Sequence, residues 1–190
     1  MLHVMSMEEA LNICKNEFGE YSAAAETVSL SEADGRVLFE DIFADEYVPG
    51  FDRSTVDGIA VLAADTFGSS DSMPAQLVYK GEILMGQDSG AEINRGECIG
   101  VSTGGKLPKG ADAVVMVEQT EDYSDGFRYV VKSVSVRENV VLKGDDVCPG
   151  KLVLKKSTRL TAKNIGALAA MGKTELLVYK RPIVGIISTG

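Results

Sequence analysis

Three short segments of this 190-residue chain gather oxygen and nitrogen donors. Pro49-Gly50-Phe51-Asp52-Arg53-Ser54-Thr55-Val56-Asp57-Gly58 sets two carboxylates and two hydroxyls in a polar turn beside an apolar strand, a donor set that suits a hard cation or a polar ligand. On spacing alone the plainer reading is an Asx and glycine turn whose side chains cap their own backbone. Ser102-Thr103-Gly104-Gly105 follows a strand, and glycines without Cβ let successive amides face an anion, with the Thr103 hydroxyl, Lys106 and Lys109 close in sequence. The pattern is neither a P-loop nor a dinucleotide fingerprint, and by itself it reads as a connecting loop. Lys143-Gly144-Asp145-Asp146 places neighbouring acids together; they repel, and a basic group or a partly hydrated Mg²⁺ relieves that repulsion, although a solvated acidic turn is the simpler account. Cys14, Cys98 and Cys148 have no basic or histidine neighbour that would activate a thiol, and His3 alone leaves no material for a zinc site or a Ser-His-Asp triad.

The elements that must carry these segments follow from periodicity. Ser6-Met7-Glu8-Glu9 is a capping box, and Met7, Ala10, Leu11, Cys14 and Phe18 recur at helical spacing, so a helix over about 6–18 is expected, ended by Gly19. Thr27 to Leu30 alternates like a strand, and Ser31 to Gly35 reads as one capped helical turn. From Val48 the apolar runs become short and β-branched, interrupted by Gly, Asp, Ser and Pro, which is the texture of a β-rich domain. Expected strands are Ile59–Leu62, Gln76–Tyr79, Cys98–Val101, Ala113–Val117, Phe127–Val136, Leu152–Leu160 and Glu175–Tyr179. Asp125-Gly126 supplies a hairpin turn, and Thr161 caps a helix that stops at Gly172. Ile183 to Ile187 is apolar on both faces and predicts a buried parallel strand; it leads into Ser188-Thr189-Gly190, so a βα domain is expected to follow.

Composition narrows the classes. The chain is 45% hydrophobic and 25% charged without Trp, which fits one or two globular domains. Three cysteines without CxxC spacing fit reduced thiols. No run approaches the roughly 20 apolar residues of a membrane helix, and residues 1–9 are not a signal sequence, so a soluble cytoplasmic protein is expected. The net charge of −9 argues against nucleic acid as a partner. Residues 1–47 hold eleven acidic and two basic residues, whereas 48–190 hold seventeen of each, so the later part presents no hostile field to an anionic ligand.

Taken in order, the motifs resemble one family. Pro49 to Ala60 matches P-x-F-D-x-S-x-M-D-G-Y-A, Thr103 to Val115 matches T-G-A-x-x-P-x-G-A-D-x-V-V, Gly144-Asp145-Asp146 matches a G-E-D turn, and Pro182 to Gly190 matches the opening of P-x-V-x-x-x-S-T-G-D-E-L. These are the motifs of the molybdopterin molybdenumtransferase (MoeA) family, related to the E domain of gephyrin, and the resemblance covers nearly all of this chain but roughly half of a family chain. It implies a mixed α/β, β-rich fold: an elongated linker domain with an inserted β-rich domain, truncated before the α/β molybdopterin-binding domain. The expected divisions are an amino-terminal helix at 1–19, linker at 20–46 and 150–181, the inserted β domain at 47–149, and a first α/β strand at 182–190.

The resemblance further implies insertion of molybdate into adenylylated molybdopterin with release of AMP, by a homodimer whose cleft is shared between subunits, with Mg²⁺ present. Other molybdenum-cofactor biosynthesis proteins are expected as partners, and no nucleic acid or membrane. Carried over residue by residue, Asp57, Thr103 and Asp146 are the expected catalytic residues. Asp57 and Asp146 are the expected metal donors. Asp52, Ser54, the Gly104 and Gly105 amides, and Lys143 are expected to bind substrate. Asp57, Thr103 and Asp146 should converge on one face of the β domain. The chain alone is expected to be inactive, because the motif that carries the family's Asp-Glu is cut. Val56 and Ile59 stand where the family usually has Met and Tyr, and Val141 and Leu142 where it often has arginines. The rival readings are a tungsten-selective insertase of the same family and a gephyrin-like scaffold.

Overall fold

A computed structural model describes residues 5–19, 23–84, 86 and 90–188. The chain divides into two compact units, one made of residues 1–43 and 152–190 and the other of residues 44–151. In chain order the first unit opens with α1 (Met7–Phe18), β1 (Ala25–Ser29) and β2 (Ile42–Phe43). The second contains β3 (Arg53–Ser54), β4 (Gly58–Val61), β5 (Ala75–Ile83), β6 (Glu97–Val101), β7 (Ala113–Met116), β8 (Thr120–Glu121), β9 (Phe127–Val130) and β10 (Val140–Val141). The chain then returns to the first unit through β11 (Leu152–Leu154), α2 (Ala162–Ala170) and β12 (Glu175–Tyr179). The result is β-rich, with two α-helices among the described residues.

α1 begins where its capping box predicts: the Ser6 hydroxyl accepts from the Glu9 amide at 3.2 Å, and the Glu9 carboxylate accepts from the Ser6 amide at 2.8 Å. The Ser6 amide, and then its hydroxyl donating at 3.1 Å, hold the Glu9 carboxyl below its ordinary pKa. None of the helix's residues is buried. In the same unit β1 and β12 pair antiparallel from Ala25↔Tyr179 to Ser29↔Glu175, and β2 pairs with β11. Ala33, Leu38, Ile42, Leu160, Leu168, Leu176 and Val178 form the core beneath them.

The second unit is organised by a six-stranded mixed sheet in the order β7-β4-β6-β5-β9-β8, in which only β5 and β6 run parallel. Its central strands are apolar on both faces, so alternate residues enter different clusters. Ile59, Val61, Cys98, Ala113 and Val115 join one cluster, while Ala60, Ile99, Val101 and Val114 join the other. Leu77 and Ile83, an even number of residues apart on β5, should share a face under strict alternation. A register shift between Tyr79 and Glu82, at Gly81 with φ of 107°, instead sends them to opposite clusters.

Several expected elements differ in extent. The strand expected over 127–136 ends at Val130, because the Val134 amide leaves the ladder and donates to the buried Thr66 hydroxyl at 3.0 Å. The strand expected over 152–160 ends at Leu154, and the chain turns through Ser157 at φ of 67°. At the hairpin the positive φ angles fall on Ser124 and Gly126, while Asp125 accepts from the Phe127 amide. Gly19 closes α1 in the right-handed region, donating to the Lys15 carbonyl.

The parallel strand expected at 183–187 lies outside every sheet, and Ile183, Val184, Ile186 and Ile187 are 74–97% exposed. A parallel strand takes its hydrogen bonds from neighbouring strands, and no described segment supplies them here. Thr189 and Gly190 of the expected final turn lie outside the described residues.

Cys98 sits inside the sheet, and burial pushes its thiol up to about 12 against a partly opposing field from Arg128. Alkylation of the native protein near pH 8 is therefore expected to modify the exposed Cys14 and Cys148 and to spare Cys98. Burial favours the neutral thiol, so its contribution to stability is complete below the unfolded value of 9.0 and is lost as pH rises toward 12. Mass spectrometry of the alkylated chain checks the labelling, and a third modified thiol in folded protein would contradict it.

Candidate functional site

The three donor-rich segments are tied together by backbone. β3 pairs with β10 through Arg53↔Val141 and Ser54↔Val140, which joins the first segment to the chain entering the third. The Ser54 amide donates to the Gly105 carbonyl at 3.0 Å, and the Gly104 amide donates back to the Ser54 carbonyl at 2.8 Å, which joins the first to the second. The Gly144 amide donates to Pro49 at 2.9 Å and the Asp146 amide to Val48 at 3.0 Å. Residues more than ninety positions apart in sequence thus share one hydrogen-bonded frame in the second unit.

Within that frame Asp57 and Thr103 meet. Asp57 Oδ1 accepts from the Thr103 amide at 2.7 Å and from its hydroxyl at 3.1 Å, and both residues are exposed. Asp57 precedes β4, and its carbonyl accepts from the Val117 amide at 3.0 Å, so the carboxylate stands on a strand anchored from the far side. Gly58 makes that anchoring possible, since a Cβ there would lie 1.9 Å from the Val115 carbonyl oxygen on β7. Asp52 and Lys143 also meet, but through backbone: Asp52 Oδ1 accepts from the Lys143 amide at 2.7 Å. The Lys143 ammonium lies 4.5 Å from the centre of the Tyr47 ring, a cation–π contact that holds it near the loop.

Other expected site residues are placed differently. Ser54 is 2% exposed, and its hydroxyl is engaged with the Val56 carbonyl at 2.6 Å and the Val56 amide at 3.2 Å, so it closes a local turn. The Gly104 amide is given to Ser54 and the Gly105 amide to Ser102 at 2.8 Å. Both amides are thus engaged within the frame, and the two glycines shape the loop: Gly104 by its φ of 81°, and Gly105 because a Cβ would meet the Ser102 carbonyl at 2.8 Å. Asp146 is exposed beside the same frame, and no described contact joins its carboxylate to Asp57.

Sequence reading passed over two positioning residues. Asn139, at φ of 59°, donates from its side-chain amide to the Val114 carbonyl at 2.9 Å, while its own carbonyl accepts from Thr55. A non-glycine residue at positive φ is most often Asn, but nothing in the sequence marks which Asn takes it. Tyr47 packs on Lys143 and against Gly144, where a Cβ would lie 2.7 Å from its ring. Asp112, part of the second motif, is structural here and accepts from the Ala63 amide at 2.6 Å.

Among the described residues no three of His, Cys, Asp and Glu gather as a cation cage. Mg²⁺ is commonly held by one or two carboxylates, with water and phosphate oxygens completing its shell. The hard oxygens of Asp57 and Asp146 suit that role as donors to an ion that a ligand also holds, and not as a self-sufficient site.

What the fold and loops define is a two-unit module in which an inserted β-rich unit presents an acidic and hydroxyl-bearing loop frame. Residues 5–172 match the family model described as MoeA N-terminal region (domain I and II), and the chain belongs to that family. It is 37% identical over 168 residues to the molybdopterin molybdenumtransferase of Bacillus subtilis (strain 168), spanning 87% of this chain and 39% of that relative. It is 36% identical over 184 residues to the protein of the same name from Staphylococcus aureus (strain MSSA476), spanning 97% and 43%. The crystal structure of the molybdopterin biosynthesis moeA protein from Pyrococcus horikoshii OT3 superposes with a TM-score of 0.83 at 35% identity, covering 95% of this chain and 47% of that one. The chain therefore spans less than half the length of each of these relatives.

Proposed function

We propose that this chain contributes the linker and inserted β-rich part of a molybdenum insertase, which replaces the adenylyl group of adenylylated molybdopterin by molybdate and releases AMP. The observation that carries the reading is the Asp57–Thr103 pair, held at 2.7 Å on the rigid edge of β4 yet exposed. A carboxylate so placed can orient an incoming polar ligand without first being freed from the core. Thr103, by fixing Oδ1 with both its amide and its hydroxyl, sets the direction of the other oxygen. Lys143, with Arg53 and Lys106 on neighbouring backbone, supplies positive charge toward a tetrahedral dianion. Mg²⁺, when bound, would offset phosphate charge, with Asp57 and Asp146 as its donors from this chain. A cytoplasmic protein that works beside other molybdenum-cofactor biosynthesis proteins belongs to the same reading. The test is AMP release from adenylylated molybdopterin and molybdate. The 190-residue chain alone is expected to release none, while a chain of full family length carrying this sequence is expected to be active; an inactive full-length chain would defeat the reading.

We also propose that the protein is a homodimer. α1 has twelve residues, and its apolar side chains Met7, Leu11 and Phe18 are 53–77% exposed. A helix this short is marginal in water unless a face is covered, and a second subunit would supply the cover. Sedimentation velocity at tens of micromolar is expected to give twice the chain mass of 20.2 kDa, and a monomer under those conditions would count against it.

A further inference from the structure

We infer that the first unit carries a pocket for a small organic anion, a carboxylate or phosphate head on an apolar body. The pocket lies at the open end of the β1–β12 pair. There the Tyr179 amide donates to the Val37 carbonyl at 2.8 Å and the Lys180 amide to the Ala24 carbonyl at 2.7 Å. Over residues 181–188 the chain makes no strand pairing, so the three extended segments part and leave a cavity of about 540 Å³. A ligand of small-molecule size fits such a volume.

Its lining is divided by chemistry. Val37, Tyr179 and Pro182 give it apolar surface, while Arg36, Lys180 and Arg181 give it positive charge. That concentration of cations stands out in a chain of net charge −9. Arg36 is the central group. It is 9% exposed, its Nη2 donates to the Tyr179 carbonyl at 2.9 Å and to Glu26, and its Nε is buried without a partner among the described residues. Glu26 answers one positive charge, and Lys180 and Arg181 have no ion pair among the described residues. An anionic head in the pocket balances this charge, and an apolar body covers the rest of the lining. A bare oxyanion meets only the first demand.

The probe is 2-naphthoate, titrated into the 190-residue chain and followed by amide chemical shifts. Shifts are expected to concentrate at Val37, Tyr179 and Lys180. Inorganic phosphate and the neutral 2-naphthol are each expected to bind at least about tenfold more weakly, since each lacks one of the two recognised parts. The double variant Lys180→Gln/Arg181→Gln is expected to weaken 2-naphthoate at least about tenfold while its thermal midpoint stays unchanged. Lys180 and Arg181 lie beyond the last strand, so this variant tests the pocket without disturbing buried Arg36. Shifts scattered over the chain, equal binding of 2-naphthol, or a double variant within twofold of the parent protein would overturn the assignment.

Discussion

Gly58→Ala is expected to cost about 3 kcal/mol of folding stability, among the larger effects a single methyl can have. The new Cβ would lie 1.9 Å from the Val115 carbonyl oxygen, 2.9 Å from its carbon and 3.1 Å from the Met116 Cα. All three are backbone atoms of β7, so no side-chain rotation relieves the contact. β4 and β7 pair from Gly58↔Met116 to Val61↔Ala113, and β4 also pairs with β6, so β4 cannot move away without breaking its ladder on the other side. Because Asp57 adjoins Gly58, the same displacement should draw its carboxylate from Thr103. The urea midpoint measures the first effect, and a variant within about 1 kcal/mol of the parent would show that the strands tolerate separation.

Asp57→Asn should do the reverse, leaving the fold and removing the chemistry. Asparagine keeps an oxygen that can accept from the Thr103 amide and hydroxyl, and the site is exposed, so stability should change by less than about 1 kcal/mol. What disappears is a negative charge. In a chain of full family length, kcat/KM for AMP release is expected to fall on the order of 100-fold. Thr103→Ala keeps the amide bond to Asp57 and loses only the hydroxyl, so a loss of about tenfold is expected. Full activity in the Asp57→Asn enzyme would remove Asp57 from any reacting role.

These residues also mark how far a sequence can be read. α1 was legible because Ser6 and Glu9 satisfy each other within one turn, a bond decided by local spacing alone. The β strands around Ile59, Cys98 and Val114 were legible as apolar runs, for the same local reason. The meeting of Asp57 with Thr103 came from family motifs, since no periodicity relates positions 46 residues apart. Ser54 and the two glycine amides mark a limit of another kind, because type and spacing show what a group can donate or accept, not whether backbone has already taken it. Ser54 gives its hydroxyl to Val56, and Gly104 gives its amide to Ser54. The parity switch between Leu77 and Ile83 was illegible for a related reason: Gly81 permits a bulge, but the register of β6 beside β5 imposes it.

The second unit leaves and rejoins the chain at one place. Phe43 pairs with Leu152 in the first unit, while in the second the Ala44 amide donates to Lys151 and the Gly150 amide donates back to Ala44. The two ends of the insert therefore stand side by side, as the ends of a hairpin loop do, and the entropy of closing the first unit depends little on what fills the gap. A short reverse turn could replace residues 44–151 without stretching β2 from β11, and the excised segment would keep its own termini together. Such an arrangement makes the donor-bearing loops a cassette: their lengths and chemistry can be exchanged in evolution or by design while the unit that receives them keeps its core.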